Sequence, residues 1–115
     1  MSDPRYRPRD FTSEPRAFGH AKGIRWRHAN TDREHDLVEA SRMQHYYALL
    51  IRNALEQSDM SIAAYAIEAG DTHDRISRIL RGTAIMRFED VARAQRILGH
   101  IVQPEIEKFD RPQSH

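Results

Sequence analysis

The sequence predicts an all-α fold: a compact four- to five-helix domain behind an extended, largely disordered basic N-terminal arm. Three observations carry this expectation. Capping residues stand ahead of helical segments at Thr31, Ser61 and Thr72. Glycines stand where short helices would stop, at Gly70, Gly82 and Gly99. No segment alternates apolar and polar residues between hairpin signals, and there is no internal repeat. A chain of 115 residues fits one domain with one modest core and is short for a multidomain enzyme.

Residues 1–30 form the arm. They contain Pro4, Pro8, Pro15, Gly19 and Gly23 among scattered arginines, with no amphipathic period, which predicts largely disordered or extended chain. Tyr6, Phe11, Phe18 and Trp26 qualify that reading. Aromatic residues amid arginines can pack back on a domain, stack on bases or face a partner, and these alternatives stay open beside that of a tail with little function.

The helical domain spans residues 31–110. Thr31 and Glu34 make a Thr-x-x-Glu capping box, and Asp32 and Asp36 add negative charge near the helix N-terminus. No Gly or Pro follows until Gly70, so a first helix from Asp32 to Gln57 is expected, ending at Ser58-Asp59, with a break near Ser41 as an alternative. Tyr46-Tyr47-Ala48-Leu49-Leu50-Ile51 is apolar at consecutive positions, so on a helix it faces more than one direction. Tyr47, Ile51, Ala54 and Leu55 serve the core. Leu37, Met43, Tyr46 and Leu50, with Trp26 of the arm, form the expected partner or dimer surface; the alternative is that the arm folds back over the spare face.

A second helix runs from the Ser61 cap to Ala69 and a third from the Thr72 cap to Arg81, with Gly70 placed for the positive torsion of a tight turn. Ala66 is small where two helices cross closely, and Ile62, Tyr65, Ile76, Ile79 and Leu80 supply apolar contacts. After Gly82, residues 83–86 form a loop. Phe88 to Leu98 forms a fourth helix, with Phe88, Val91, Ala94, Ile97 and Leu98 closing the core. Pro104 starts a short last helix, Glu105 to Phe109, and residues 111–115 are expected to fray.

Composition narrows the function classes. The net charge is +1, but residues 1–33 carry a net +4 and residues 34–60 a net −3, so one face is expected to be basic. Arg greatly outnumbers Lys, and guanidinium groups suit bidentate contacts to phosphate and guanine. There is no cysteine, and no apolar run approaches the length of a membrane span or secretory signal, which predicts a soluble cytoplasmic protein. The seven histidines include no helical zinc pair, and no nucleophile turn, phosphate loop or paired-carboxylate setting is present. No metal, cofactor or enzymatic activity is expected.

The stretch from Tyr65 to Gly82 resembles the helix-turn-helix of the lambda-repressor-like, Cro/phage-repressor (Xre) family. The matching places are Tyr65, Ala66, Gly70, Asp71, Thr72, Ile76-Ser77-Arg78-Ile79 and Gly82, followed by Phe88, Leu98 and Gly99 in the next helix. The resemblance covers about residues 47–100, with the motif itself at 61–82. Asp71 departs from the usual apolar turn residue, Ile62 from a polar phosphate contact, and Leu55 and Leu80 from an Arg–Glu ion pair.

The resemblance implies a sequence-specific transcriptional regulator that binds double-stranded DNA as a homodimer, with the third helix in the major groove. His73, Asp74, Arg75, Ser77 and Arg78 are then the candidates for base contacts, Arg78 first, because a guanidinium can meet guanine O6 and N7 together. Ser61, Thr72, Arg81, Thr83 and Arg87 are the candidates for the sugar-phosphate backbone. The bland alternative for the arginines is a solvated face with pairs such as Asp71–Arg75 and Asp74–Arg78. The basic arm could follow the minor groove. The rival function is a helix-turn-helix scaffold acting mainly through protein binding, as an antitoxin or accessory regulatory factor, with its partner on the arm or first helix.

Overall fold

The computed structural model describes residues 6–102. Residues 1–5, the expected helix Glu105 to Phe109 and the expected frayed end at 111–115 lie outside the described residues. Four α-helices, α1 (Asp32–Gln57), α2 (Ile62–Ala69), α3 (His73–Arg81) and α4 (Phe88–Leu98), follow two short 3-10 helices at Pro8–Phe11 and Pro15–Ala17. Among the described residues there is no strand, only an isolated antiparallel bridge between Thr12 and Trp26.

Each helix starts and stops where local chemistry demands. The Thr31 hydroxyl accepts the Glu34 N–H at 3.1 Å, and the Glu34 carboxylate accepts the Asn30 N–H at 2.7 Å, one residue before the position a strict capping box uses. Helix α1 then runs without a break through Ser41, whose hydroxyl donates to the Leu37 carbonyl at 2.8 Å within the helix. It ends as Asp59 takes a positive φ of 52°, which a short acidic side chain tolerates. Ser61 and Thr72 cap α2 and α3 through the Ala64 and Arg75 amides, at 3.0 and 3.1 Å. Gly70, at φ 66° and ψ 33°, turns the chain between them.

The core joins Ala48, Ile51 and Leu55 of α1 to Tyr65 and Ala66 of α2, Ile76, Ile79 and Leu80 of α3, Val91 and Ala94 of α4, and Ile101. Burying side chains of this size stabilises by about 1.5–3 kcal/mol each. Leu55 and Leu80 are both buried, so the apolar pair is accommodated within the core. Phe88 departs from expectation: it is 81% exposed. It is the first residue of α4, and from there it lies beside Tyr47 and Val91 at the rim of an apolar groove.

The arm departs most. Residues expected to be largely disordered instead fold back on α1 and the end of α3. Residues 11–13 pair with 25–27 through Arg27 N–H to Phe11 O at 2.9 Å and Ser13 N–H to Arg25 O at 3.2 Å. The buried Thr12 hydroxyl donates to Arg25 O at 2.5 Å. Phe18 is 1% exposed and packs edge-on to His45 and Trp26, with ring centroids 5.3 and 6.2 Å away. Pro8 and Pro15 begin 3-10 turns, so here proline orders the arm.

Three hydrogen bonds anchor this layer: Tyr6 with Ser41 at 2.9 Å, Gly19 N–H to His45 Nδ1 at 2.8 Å and Arg9 N–H to Gly82 O at 2.9 Å. The expected partner stripe is thereby divided. Trp26 packs against His45, Leu37 is half-buried and Leu50 packs against the core, while Met43 and Tyr46 remain about half exposed.

Candidate nucleic-acid interface

Helix α3 is strongly two-faced. Ile76, Ile79 and Leu80 are buried, whereas His73, Asp74, Arg78 and Arg81 are exposed and Ser77 is half-buried. The outward residues follow directly from the Thr72 cap. The cap fixes where the helix begins, and burial of Ile76, Ile79 and Leu80 fixes which side chains point away from the core.

Arg75 is the exception among the candidate base contacts. Its Nη1 and Nη2 bond both Asp90 oxygens at 2.9 Å, and Nη1 also meets Asp71 Oδ2 at 2.7 Å. Arg93 joins the cluster through Asp71 at 3.0 Å, and Asp71 Oδ1 accepts the Thr72 N–H at 2.7 Å. Burial pushes the Asp90 carboxyl up, but hydrogen bonds from Arg75 and the Arg87 amide, with the charges of Arg75 and Arg93, hold it below its ordinary value. Hydrogen bonding to Asp90 in turn raises Arg75. Arg75 is thus committed to locking α3 onto α4, because the buried Asp90 carboxylate is paired there. Asp71, the departure from the apolar turn, is what brings the turn into this cluster.

Arg78 is differently placed. Its contact with Asp74 is long, 3.8 Å, between side chains that are 50% and 77% exposed. A pair of this kind contributes about 0–1 kcal/mol and gives way readily to a ligand. Both i,i+4 pairs expected of a solvated face are therefore present, but only Asp71–Arg75 is part-buried and joined to the buried Asp90.

The loop after α3 is held from an unexpected quarter. Gln44 of α1, 7% exposed, donates to Ile79 O at 2.8 Å and Ala84 O at 2.9 Å, and accepts the Met86 N–H at 2.9 Å. This fixes the backbone carrying Thr83 and Arg87. Thr83 is half-buried with its hydroxyl donating to Arg78 O at 3.3 Å, and the Arg87 side chain is exposed while its amide caps onto Asp90 at 2.8 Å. Ser61 and Thr72 are exposed and already accept their helix amides.

Sequence reasoning missed Gln44, Asp90 and Arg93. Gln44 gave no signal, since a polar residue between Met43 and His45 reads as surface. Asp90 did give one, being an acid in the first turn of α4 where a cap is expected. No described helix is long and apolar enough to cross a membrane. Comparison with family models, with curated proteins and with solved structures gives no match to this chain.

Proposed function

We propose that this protein is a lambda-repressor-like helix-turn-helix regulator that reads double-stranded DNA, with α3 in the major groove. One observation carries the reading: α3 buries its apolar side completely and turns His73, Asp74, Arg78 and Arg81 to solvent from a capped, rigidly braced start. Arg78 reads guanine as a bidentate donor, a contact that contributes about 1–3 kcal/mol of discrimination. His73 and Ser77 reach neighbouring base edges, and Asp74 accepts from cytosine N4 while repelling misplaced phosphates. Arg81, Thr83 and Arg87, with the amides at the start of α2, hold the backbone. Arg75 positions the helix and touches no base. Binding as a homodimer would set two half-sites about 34–36 Å apart.

Selection from random duplex DNA, repeated across salt concentrations, tests this directly. An enriched motif that Arg78→Gln relaxes at one position supports the reading; weak, salt-sensitive binding with no enriched motif ends it.

A second reading, a scaffold acting mainly through protein binding, is favoured by a specific feature. Phe88, Met43 and Ile85 are exposed around one apolar groove between α1 and α4. Arg78→Gln with Arg81→Gln abolishes duplex binding under the first reading and leaves partner binding intact under the second, whereas Phe88→Ser does the reverse.

A further inference from the structure

Where the arm, α1 and α3 meet, three nitrogen-bearing side chains gather with no carboxylate paired to them. Gly19 is the pivot of this junction. A Cβ added to it would overlap the Leu80 carbonyl oxygen and stand 3.3 Å from Ala48 Cβ. His20 follows Gly19, Arg81 follows Leu80, and Arg52 lies one helical turn beyond Ala48 on the same face of α1. Three separate elements therefore deliver one basic group each to one place.

Arg75, Arg78 and Arg93 pair with carboxylates, whereas Arg52 and Arg81, like several exposed arginines of the chain, form no ion pair among the described residues. Burial is what sets Arg52 apart. Arg52 is half-buried, and its Nε is sealed from solvent with no acceptor. A part-buried cation held without a counter-charge needs an explanation, since desolvation of an unpaired charge is costly. Proximity adds to the cost. Burial and then the Arg81 charge lower Arg52, and burial and then the Arg52 charge lower His20. An anion meeting the Arg52 Nη groups would supply the missing charge.

We propose that His20, Arg52 and Arg81 form a binding site for a phosphate group, either a phosphodiester of a DNA duplex or a free phosphate monoester. Arg52 supplies a planar fork, which suits two phosphate oxygens at once. Arg81, exposed at the end of α3, closes on the same phosphate, and the His20 imidazole N–H donates from the arm. The site asks nothing of the base-reading face of α3.

The test uses the full chain in two arms. In the first, inorganic phosphate is titrated at constant ionic strength against chloride while the arginine Nε–H signals are followed by NMR. The site predicts saturable shifts at both Arg52 and Arg81, the Arg81 shift lost in Arg52→Gln and the Arg52 shift weakened in Arg81→Gln, whose exposed position leaves the fold in place. In the second, duplex affinity is measured across salt. Arg52→Gln should weaken selected and unselected duplexes alike, on the order of tenfold, and reduce the slope of log affinity against log salt by about 1. A phosphate response with an unchanged slope assigns the site to free phosphate; a changed slope assigns it to the duplex. No Arg52 response to phosphate and an unchanged slope in both variants overturns the proposal. A selection without an enriched motif would end the base-reading function and leave both arms of this test standing.

Discussion

The α2–α3 pair and the N-terminal arm are shaped by different means. In the pair, the helix ends and the turn are closed by groups near in the chain, Ser61 to Ala64, Thr72 to Arg75 and Asp71 to Arg75, with Gly70 turning between them, and the distant Asp90 and Arg93 brace a unit already closed. The arm depends on distant partners, Tyr6 to Ser41, Gly19 to His45 and Arg9 to Gly82. Local bonds close small loops at little entropic cost, while the arm must offset the ordering of some twenty-five residues with a few aromatic contacts. The arm is therefore expected to open first, and α2–α3 to persist until the whole domain unfolds.

The largest test strikes the link between α3 and α4. Asp90→Ala leaves Arg75 without its bidentate partner, and Arg75→Gln leaves a carboxylate 5% exposed with the Arg87 amide and a longer contact to Arg93. Either change should cost about 3–5 kcal/mol by denaturant unfolding, with the two losses far from additive. Equal stability would remove this cluster as the brace of α3.

Phe18→Ala comes next, at about 3–5 kcal/mol if the arm opens only with the rest of the domain. If the arm is a separate unit, the global loss is smaller, and hydrogen exchange instead shows the Gly19 and Arg9 amides losing protection while Ile76 keeps its own. The outcome decides whether arm and motif are one cooperative unit. Deleting residues 1–30 is correspondingly a poor probe of partner capture, because it would also uncover the arm-facing side of α1.

Gln44→Ala should cost about 1–3 kcal/mol, since it strands two carbonyls and one amide of the loop after α3. It should also weaken duplex binding more than its stability loss accounts for, as Thr83 and Arg87 lose their fixed backbone.

Acid should loosen the arm selectively. Burial lowers His45 below its ordinary 6.5, and its Nδ1 accepts the Gly19 N–H, so the folded arm requires the neutral ring. A depressed folded value means the contribution is complete above 6.5 and is lost as pH falls through the folded value. His20 shifts in the same direction, so His45→Gln, which keeps an acceptor, is the control. Protection of the Gly19 amide should fall with pH in the parent and much less in His45→Gln. The smallest effect belongs to Asp74→Asn, within about 0.5 kcal/mol of parental stability because the Arg78 pair is exposed, yet altering duplex preference.

Much of the domain was legible along the chain. Thr31, Ser61, Thr72, Gly70 and Gly82 mark helix ends through bonds and torsions spanning a few residues, and the start of α1 and both ends of α2 and α3 follow from them. Phe88 misled because an apolar residue at a helix start reads as core, although its direction depends on how α4 is rotated. The arm misled for a related reason. Pro8, Pro15 and Gly19 carry the composition of loose chain, and only a surface able to receive Phe18 and Gly19 converts them into fixed turns.

Within the candidate site, Arg75 and Arg78 are indistinguishable by type and are three positions apart on one helix. Sequence alone determined that α3 would exist, where it would begin and which residues would lie on it, because caps, turns and periodicity act over a handful of residues. Only the tertiary structure decided that Arg75 is held by the buried Asp90 while Arg78 keeps one long, exposed pair with Asp74, that Gln44 holds the loop, and that His20, Arg52 and Arg81 come from three elements to one junction. Those outcomes depend on Asp90, Ala84 and Gly19 arriving from elsewhere in the chain, and a charge is free or committed according to its neighbours in space.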